Sequence, residues 1–281
     1  MAYPLMMKMK AYLPIVLVLL FTACEVINPE EEVATFIRID EINTTEVGTA
    51  NITDLWFYFD NELQGTYPIP SVFPVLRHGE QEIYIAAGIK KNGIAASRDK
   101  YPFYRWHNET ITLSPGDTTL ISPKISYNTD IVFIEDFNNQ SIGHQFDTTS
   151  TSTMKPEFIY TNNNGYLYAN LDQEGDKMSI IGPTTTLPLL SEIYVELDYK
   201  CNANFLVGLM CYYPQYALPK VTNVITPKED WNKIYLDLDD FVTSEITNGA
   251  ISFSVWIAMD QDTTLENSEL YLDNIKLLHE E

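Results

Sequence analysis

The chain has 281 residues, 45% of them hydrophobic, and a formal net charge of -22 from 39 Asp and Glu against 17 Lys and Arg. That length allows about two domains at roughly 100–200 residues each, and the apolar content supplies a packed core and excludes global disorder. A surface this acidic repels phosphate backbones and anionic lipid, which excludes nucleic acid as a partner, while carboxylate-rich loops suit Ca²⁺.

Residues 1–23 have the three parts of a secretory signal: Lys8 and Lys10, the apolar run Leu13 to Phe21, and the small residues Thr22 and Ala23. The apolar run is too short to span a bilayer, which takes ~20 residues. The segment Leu20-Phe21-Thr22-Ala23-Cys24 resembles a bacterial lipobox. That resemblance implies acylation of Cys24, removal of residues 1–23, and an outer-membrane lipid partner. Residues 24–32, with Glu25, Pro29 and Glu30-Glu31-Glu32, read by themselves as an acidic solvated tether. They also resemble the acidic export signal of surface lipoproteins of the Bacteroidota, which implies an outer-membrane, lipid-anchored protein facing the cell exterior.

From Val33 on, short runs alternate apolar and polar residues between Gly, Pro, Asn and Asp, the pattern of an all-β chain of two β-sandwiches. In residues 33–128, Trp56 to Phe59 with the turn at Asp60-Asn61 predicts a hairpin. A second hairpin is predicted from Ile111-Thr112-Leu113 through Pro115-Gly116-Asp117 to Leu120-Ile121. The order of strand, Asp, Gly, prolines, strand, Gly-Glu and strand resembles PEGA-type and related immunoglobulin-like modules. Gly88 to Ile94, with Arg98 and Tyr101-Pro102-Phe103-Tyr104, resembles a signature of Bacteroidota lipoproteins, which names a lineage and no activity.

In residues 129–281, Ile131-Val132-Phe133-Ile134 is a continuous apolar run, as in a strand buried on both faces. Tyr194–Lys200 and Phe205–Tyr212 read as a hairpin around Asn202-Ala203-Asn204. That arrangement puts Cys201 and Cys211 roughly 20 Å apart at ~3.3 Å per residue, too far for a disulfide, so both read as buried hydrophobes. Asp239 to Thr247 predicts one short helix. The runs Phe133 to Phe137, Asp230 to Leu238 and Leu270 to Leu277 resemble the opening, late and closing strands of a jelly-roll of the carbohydrate-binding-module type.

No catalytic set emerges. His78, His107, His144 and His279 lie apart and read as solvated loop residues, outside any triad or zinc spacing. The adjacent pairs Glu135-Asp136 and Asp239-Asp240 would point to opposite faces of a strand and form no acid/base couple. The jelly-roll resemblance implies a structural Ca²⁺ held by Glu135, Asp136 and Asp273, although Asp273 equally suits a strand cap. Sugar rings stack on aromatic side chains, and Tyr212, Tyr213 and Tyr216 with Trp256 are the candidates. Trp256 is out of phase with Ile251, Phe253, Val255 and Ile257, whereas Trp231 reads as packing. Three Asp-Thr-Thr triplets, at Asp117, Asp147 and Asp262, resemble a bacterial O-glycosylation motif and read equally as turns. The expectation is a non-catalytic surface lipoprotein whose jelly-roll binds glycan or another envelope component. The alternatives are an assembly partner in an outer-membrane protein complex and, last, a glycoside hydrolase.

Overall fold

A computed structural model describes residues 31–128, 131–139, 143–161 and 164–280. Cys24 and most of its tether lie outside the described residues. The chain is almost all β: the described residues form nineteen strands and one helix, in two consecutive β-sandwiches. Among the described residues no helix is long and apolar enough to cross a membrane.

The first sandwich has one sheet in the order β4-β1-β8, from Ser71–Val75, Thr35–Ile39 and Thr118–Ile121. The facing sheet holds β3 (Glu62–Pro68), β2 (Asp54–Phe59), β5 (Gly79–Lys90) and β6 (Arg98–Lys100), with β7 (His107–Leu113) on the first half of β5. The predicted β2–β3 hairpin forms, and Asp60 takes the left-handed φ of 50° that its turn requires. The second predicted hairpin does not form. β7 pairs with β5, whereas β8 crosses to the other sheet and runs parallel to β1. Ile111 and Leu113 thereby meet Ile121, Ile37 and Phe57 across the core, which buries more apolar surface than pairing along one sheet would.

The second sandwich opposes β10-β13-β18-β15-β16 (Asp147–Thr148, Lys177–Ile181, Ser252–Asp260, Phe205–Tyr213, Tyr216–Ile225) to a six-stranded sheet. That sheet contains β11 (Glu157–Thr161), β12 (Asn164–Leu171), β19 (Ser268–His279), β14 (Ile193–Cys201), β17 (Lys228–Asp237) and β9 (Ile131–Glu135). Here too a predicted hairpin is overturned, because β14 and β15 lie in opposite sheets. Val195, Leu197 and Tyr199 face Val207, Leu209 and Cys211 through one core, each fully buried aliphatic contributing about 1.5–3 kcal/mol. Cys201 and Cys211 are buried and free. Among the described residues β9 pairs with β19 alone and leaves Ile134 41% exposed, so it is an edge strand rather than one buried on both faces. Helix α1 (Asp239–Thr247) forms where predicted; Val242 plugs the core, and Asp239 and Asp240 sit at its positive N-terminal end.

A third core cluster joins the two sandwiches. Ala87, Ile89, Tyr101, Phe103 and Tyr104 of the first pack on Tyr194, Tyr235 and Leu278 of the second. At its rim the turn after β5 extends the edge of β17. Asn92 donates its amide to Tyr235 O at 2.9 Å and accepts the Asp237 amide on Oδ1 at 2.9 Å, and Lys91 pairs with Asp237. Asn92 and Gly93 both take positive φ to make that turn. The Gly88–Ile94 and Tyr101–Tyr104 segments, which in sequence name only a lineage, thus build the junction.

Candidate functional site

The outer face of the six-stranded sheet is only partly covered by the first sandwich. The uncovered part is aromatic because β12 and the first part of β19, Ser268 to Leu272, alternate strictly. Leu167, Ala169 and Leu171 point inward, and Tyr166 and Tyr168 point outward between them; Leu270 and Leu272 point inward around Tyr271. Register sets Tyr168 opposite Tyr271 and Lys200 opposite Tyr271. The Tyr168 and Tyr271 rings are 4.8 Å apart, and Trp231 of β17 stands edge-on to Tyr166 at 5.9 Å and to Tyr271 at 6.3 Å. Lys200 Nζ lies 4.8 Å from the Tyr271 ring centroid, and the Tyr168 hydroxyl donates to Glu269 at 2.6 Å. Trp231 is 47% exposed, so it is a surface residue and not the packing residue expected.

Trp231 also forms one wall of a cleft of about 550 Å³ between this face and the 44–50 loop. The sheet side of the cleft is made by a β-bulge. Four residues of β19 (Asp273 to Lys276) lie opposite three of β14 (Glu196 to Asp198), and Asn274 takes a left-handed φ of 48°. The bulge sets Asp273 beside Asp198 and turns Asn274 Nδ2 onto Asp198 Oδ2 at 2.8 Å; Thr49 Oγ1 donates to the same oxygen at 2.6 Å. Asp198 Oδ1 is buried without a hydrogen-bond partner, with Lys233 Nζ 3.7 Å away. Burial, with the charges of Asp198 and Asp136 added, pushes the Asp273 carboxyl up to about 7.

Behind the cleft, Glu196 has no exposed surface. It accepts Tyr101 OH at 2.7 Å and Tyr127 OH at 2.9 and 3.1 Å, with Lys233 Nζ at 2.9 Å and Lys276 Nζ at 3.9 Å. Burial pushes the Lys276 ammonium down while Glu196 opposes that shift.

The sequence-chosen aromatics lie elsewhere and do not share a face. Tyr213 and Tyr216 form the closing pair of the β15–β16 hairpin and stack at 4.5 Å. The Tyr213 hydroxyl bonds Glu245 of α1, which also pairs with Lys220 at 2.6 Å, so Tyr213 is a packing residue. Tyr212 points to the opposite face, where its hydroxyl accepts from Ser254 Oγ at 3.4 Å. Trp256 does face away from the core row, yet it is only 8% exposed, and its indole donates to Ser179 Oγ at 2.9 Å. Of the predicted metal ligands, Glu135 is turned inward with Ile275 and accepts the amides of Phe137, at 2.9 Å, and Gln145. Asp136 accepts the Asn138 amide at 3.0 Å, and Asp273 lies on the outer face, so the three do not converge. Among the described residues no group of three or more His, Cys, Asp or Glu is placed to hold a metal. His144 is not a solvated loop residue: it stacks on Phe158 at 3.6 Å, and His107 lies 3.3 Å from Glu109. Asp262 makes turn contacts, accepting Thr264 N at 3.0 Å and Thr264 Oγ1 at 2.7 Å.

No protein-family model matches the chain, and no curated protein matches it. Among solved structures it is similar to a carbohydrate-binding module of the β-sandwich superfamily, at 15% identity and TM-score 0.41 over 89% of this chain and 100% of that one. It is also similar to the family 11 carbohydrate-binding module of the cellulosomal cellulase Lic26A-Cel5E of Clostridium thermocellum, at 13% identity and TM-score 0.35 over 54% of this chain and 94% of that one. A variant of the family 29 module CBM29-2 matches at 11% identity and TM-score 0.35, over 52% and 83% of the two chains. These neighbours are jelly-roll β-sandwiches of the carbohydrate-binding-module kind.

Proposed function

We propose that this protein is a non-catalytic, lipid-anchored outer-membrane protein, held by Cys24 and facing the cell exterior, that binds glycan on the outer face of its six-stranded sheet. The observation that carries the reading is the open array of Tyr166, Tyr168, Tyr271 and half-exposed Trp231. A pyranose ring has an apolar C–H face that buries against such rings, and its hydroxyls need the polar groups that Lys200, Glu269 and Asn164 supply at the margin. The test is a glycan array and calorimetric titration of the full chain carrying Cys24→Ser, with and without EDTA. Trp231→Ala is expected to weaken binding about tenfold or more, equivalent to ~1.4 kcal/mol, with secondary structure intact. Binding indifferent to Trp231 and Tyr271 would sink the proposal.

A second reading is favoured by β16, a ten-residue edge strand that exposes Tyr216, Leu218, Val221 and Val224. An unpaired apolar edge is a template for strand addition by a protein partner, as in an assembly role within the envelope. Cross-linking on intact cells through residue 221 would report that partner.

A further inference from the structure

The charges behind the cleft do not balance. Glu196, Asp198 and Asp273 bring three carboxylates, and Lys233 and Lys276 bring two ammonium groups, all five nearly devoid of exposed surface. Both lysines are drawn toward Glu196. Lys276 is occupied further by Tyr127 OH at 2.9 Å and Val47 O at 3.3 Å. Asp198 takes hydrogen bonds only from neutral donors, on Oδ2; its buried Oδ1 makes none and faces Lys233 Nζ at 3.7 Å, an ammonium group it shares with Glu196. Asp273 receives the Asn274 amide at 2.7 Å. Asp136 acts on Asp273 from nearby and adds negative charge instead of relieving it.

A desolvated carboxylate oxygen without a donor costs free energy, and an arriving cation offsets more of it than a neutral hydroxyl does. Trp231 lines the same cleft, and an indole ring holds a cation through its quadrupole. A metal ion would need several hard oxygens, and no three acidic or histidine ligands converge among the described residues. We propose that the cleft between the 44–50 loop and the six-stranded sheet takes the ammonium group of an amino sugar, with Asp198 and Asp273 as counter-charges and Trp231 as the side wall. This rests on the glycan reading of the adjoining face and names the sugar class at one end of it. Anionic sugars are rejected by the same carboxylates.

The test titrates the full chain carrying Cys24→Ser, near neutral pH, with three tetrasaccharides: β-1,4-glucosamine, its N-acetylated form and the glucose equivalent. Monomeric glucosamine is followed separately by NMR. The glucosamine tetramer is expected to bind at least about tenfold tighter than the other two. Asp198→Asn and Asp273→Asn are each expected to remove that preference, with folding checked by circular dichroism. Equal affinities for the three, or a preference that survives in both variants, overturns the inference while leaving the glycan reading standing. If no tetramer binds, the glycan reading fails. In that case uptake of glucosamine that is lost in Asp273→Asn keeps the ammonium site, and absence of uptake overturns it as well.

Discussion

Glu196→Gln keeps the shape of a side chain that has no exposed surface and removes its charge. In the native chain that carboxylate takes two tyrosine hydroxyls from the first sandwich, Tyr101 and Tyr127, and faces two lysines of the six-stranded sheet. The amide offers one acceptor oxygen and turns an unwanted N–H₂ toward the remaining donors. Lys276 then has no carboxylate in reach, and Lys233 keeps only Asp198, 3.7 Å away. Breaking a buried ion pair by removing one partner costs about 3–5 kcal/mol, and the surviving Asp198 places this case at about 3 kcal/mol. At about 2–4 °C per kcal/mol for domains of 150–250 residues, the Tm falls by about 6–12 °C. Because the donors come from both sandwiches, calorimetry is also expected to separate one transition into two. A change below about 1 kcal/mol would refute the reasoning, because it would mean that the network is hydrated and the junction open in solution.

Asp273 gives a pH signature. Its folded pKa, pushed up to about 7, lies above the unfolded value of about 3.9, so the unfolded chain releases this proton first. The stability that this group contributes is therefore intact below about pH 4, declines through the window to about 7, and stays lost above it. Asp273→Asn should gain on the native chain as pH rises through that window in urea unfolding, and a constant difference would count against the argument. Asp239, also pushed up to about 7 by burial, keeps its own slope in both proteins. Trp256→Phe removes the indole bond to Ser179 and should cost about 1 kcal/mol in denaturant midpoint analysis, with glycan binding unchanged. Gly208→Ala puts a Cβ 2.0 Å from Lys220 O at the β15–β16 irregularity, so backbone must shift and about 1–3 kcal/mol should be lost; an unaffected Tm would contradict that packing.

Much of the fold is legible in the residues. Alternation marks the strands, Asp60-Asn61 marks a hairpin, Asp239 to Thr247 marks the helix, and the all-β class follows. Part of the site also left a signal. In Gly165-Tyr166-Leu167-Tyr168-Ala169 and Leu270-Tyr271-Leu272 a second, aromatic row runs in phase on the face opposite the core. Period-two reading finds such rows but cannot tell a face open to solvent from one covered by another layer. It is on that point that Trp231 reads as a packing residue in sequence and stands at the surface in the structure.

What the sequence by itself determined was local: which residues are extended, which face of each strand is apolar, and which turns are tight. Pairing was decided only in the tertiary structure, because the short links at 114–117 and 202–204 serve a hairpin or a crossover equally well, and long-range burial chooses between them. The cleft is a product of that choice. Thr49, Asp198 and Asp273 are separated by up to 224 residues in sequence and meet only because one sandwich seats on the bulged outer face of the other. No local pattern records a contact whose free energy comes from removing both surfaces from water at once.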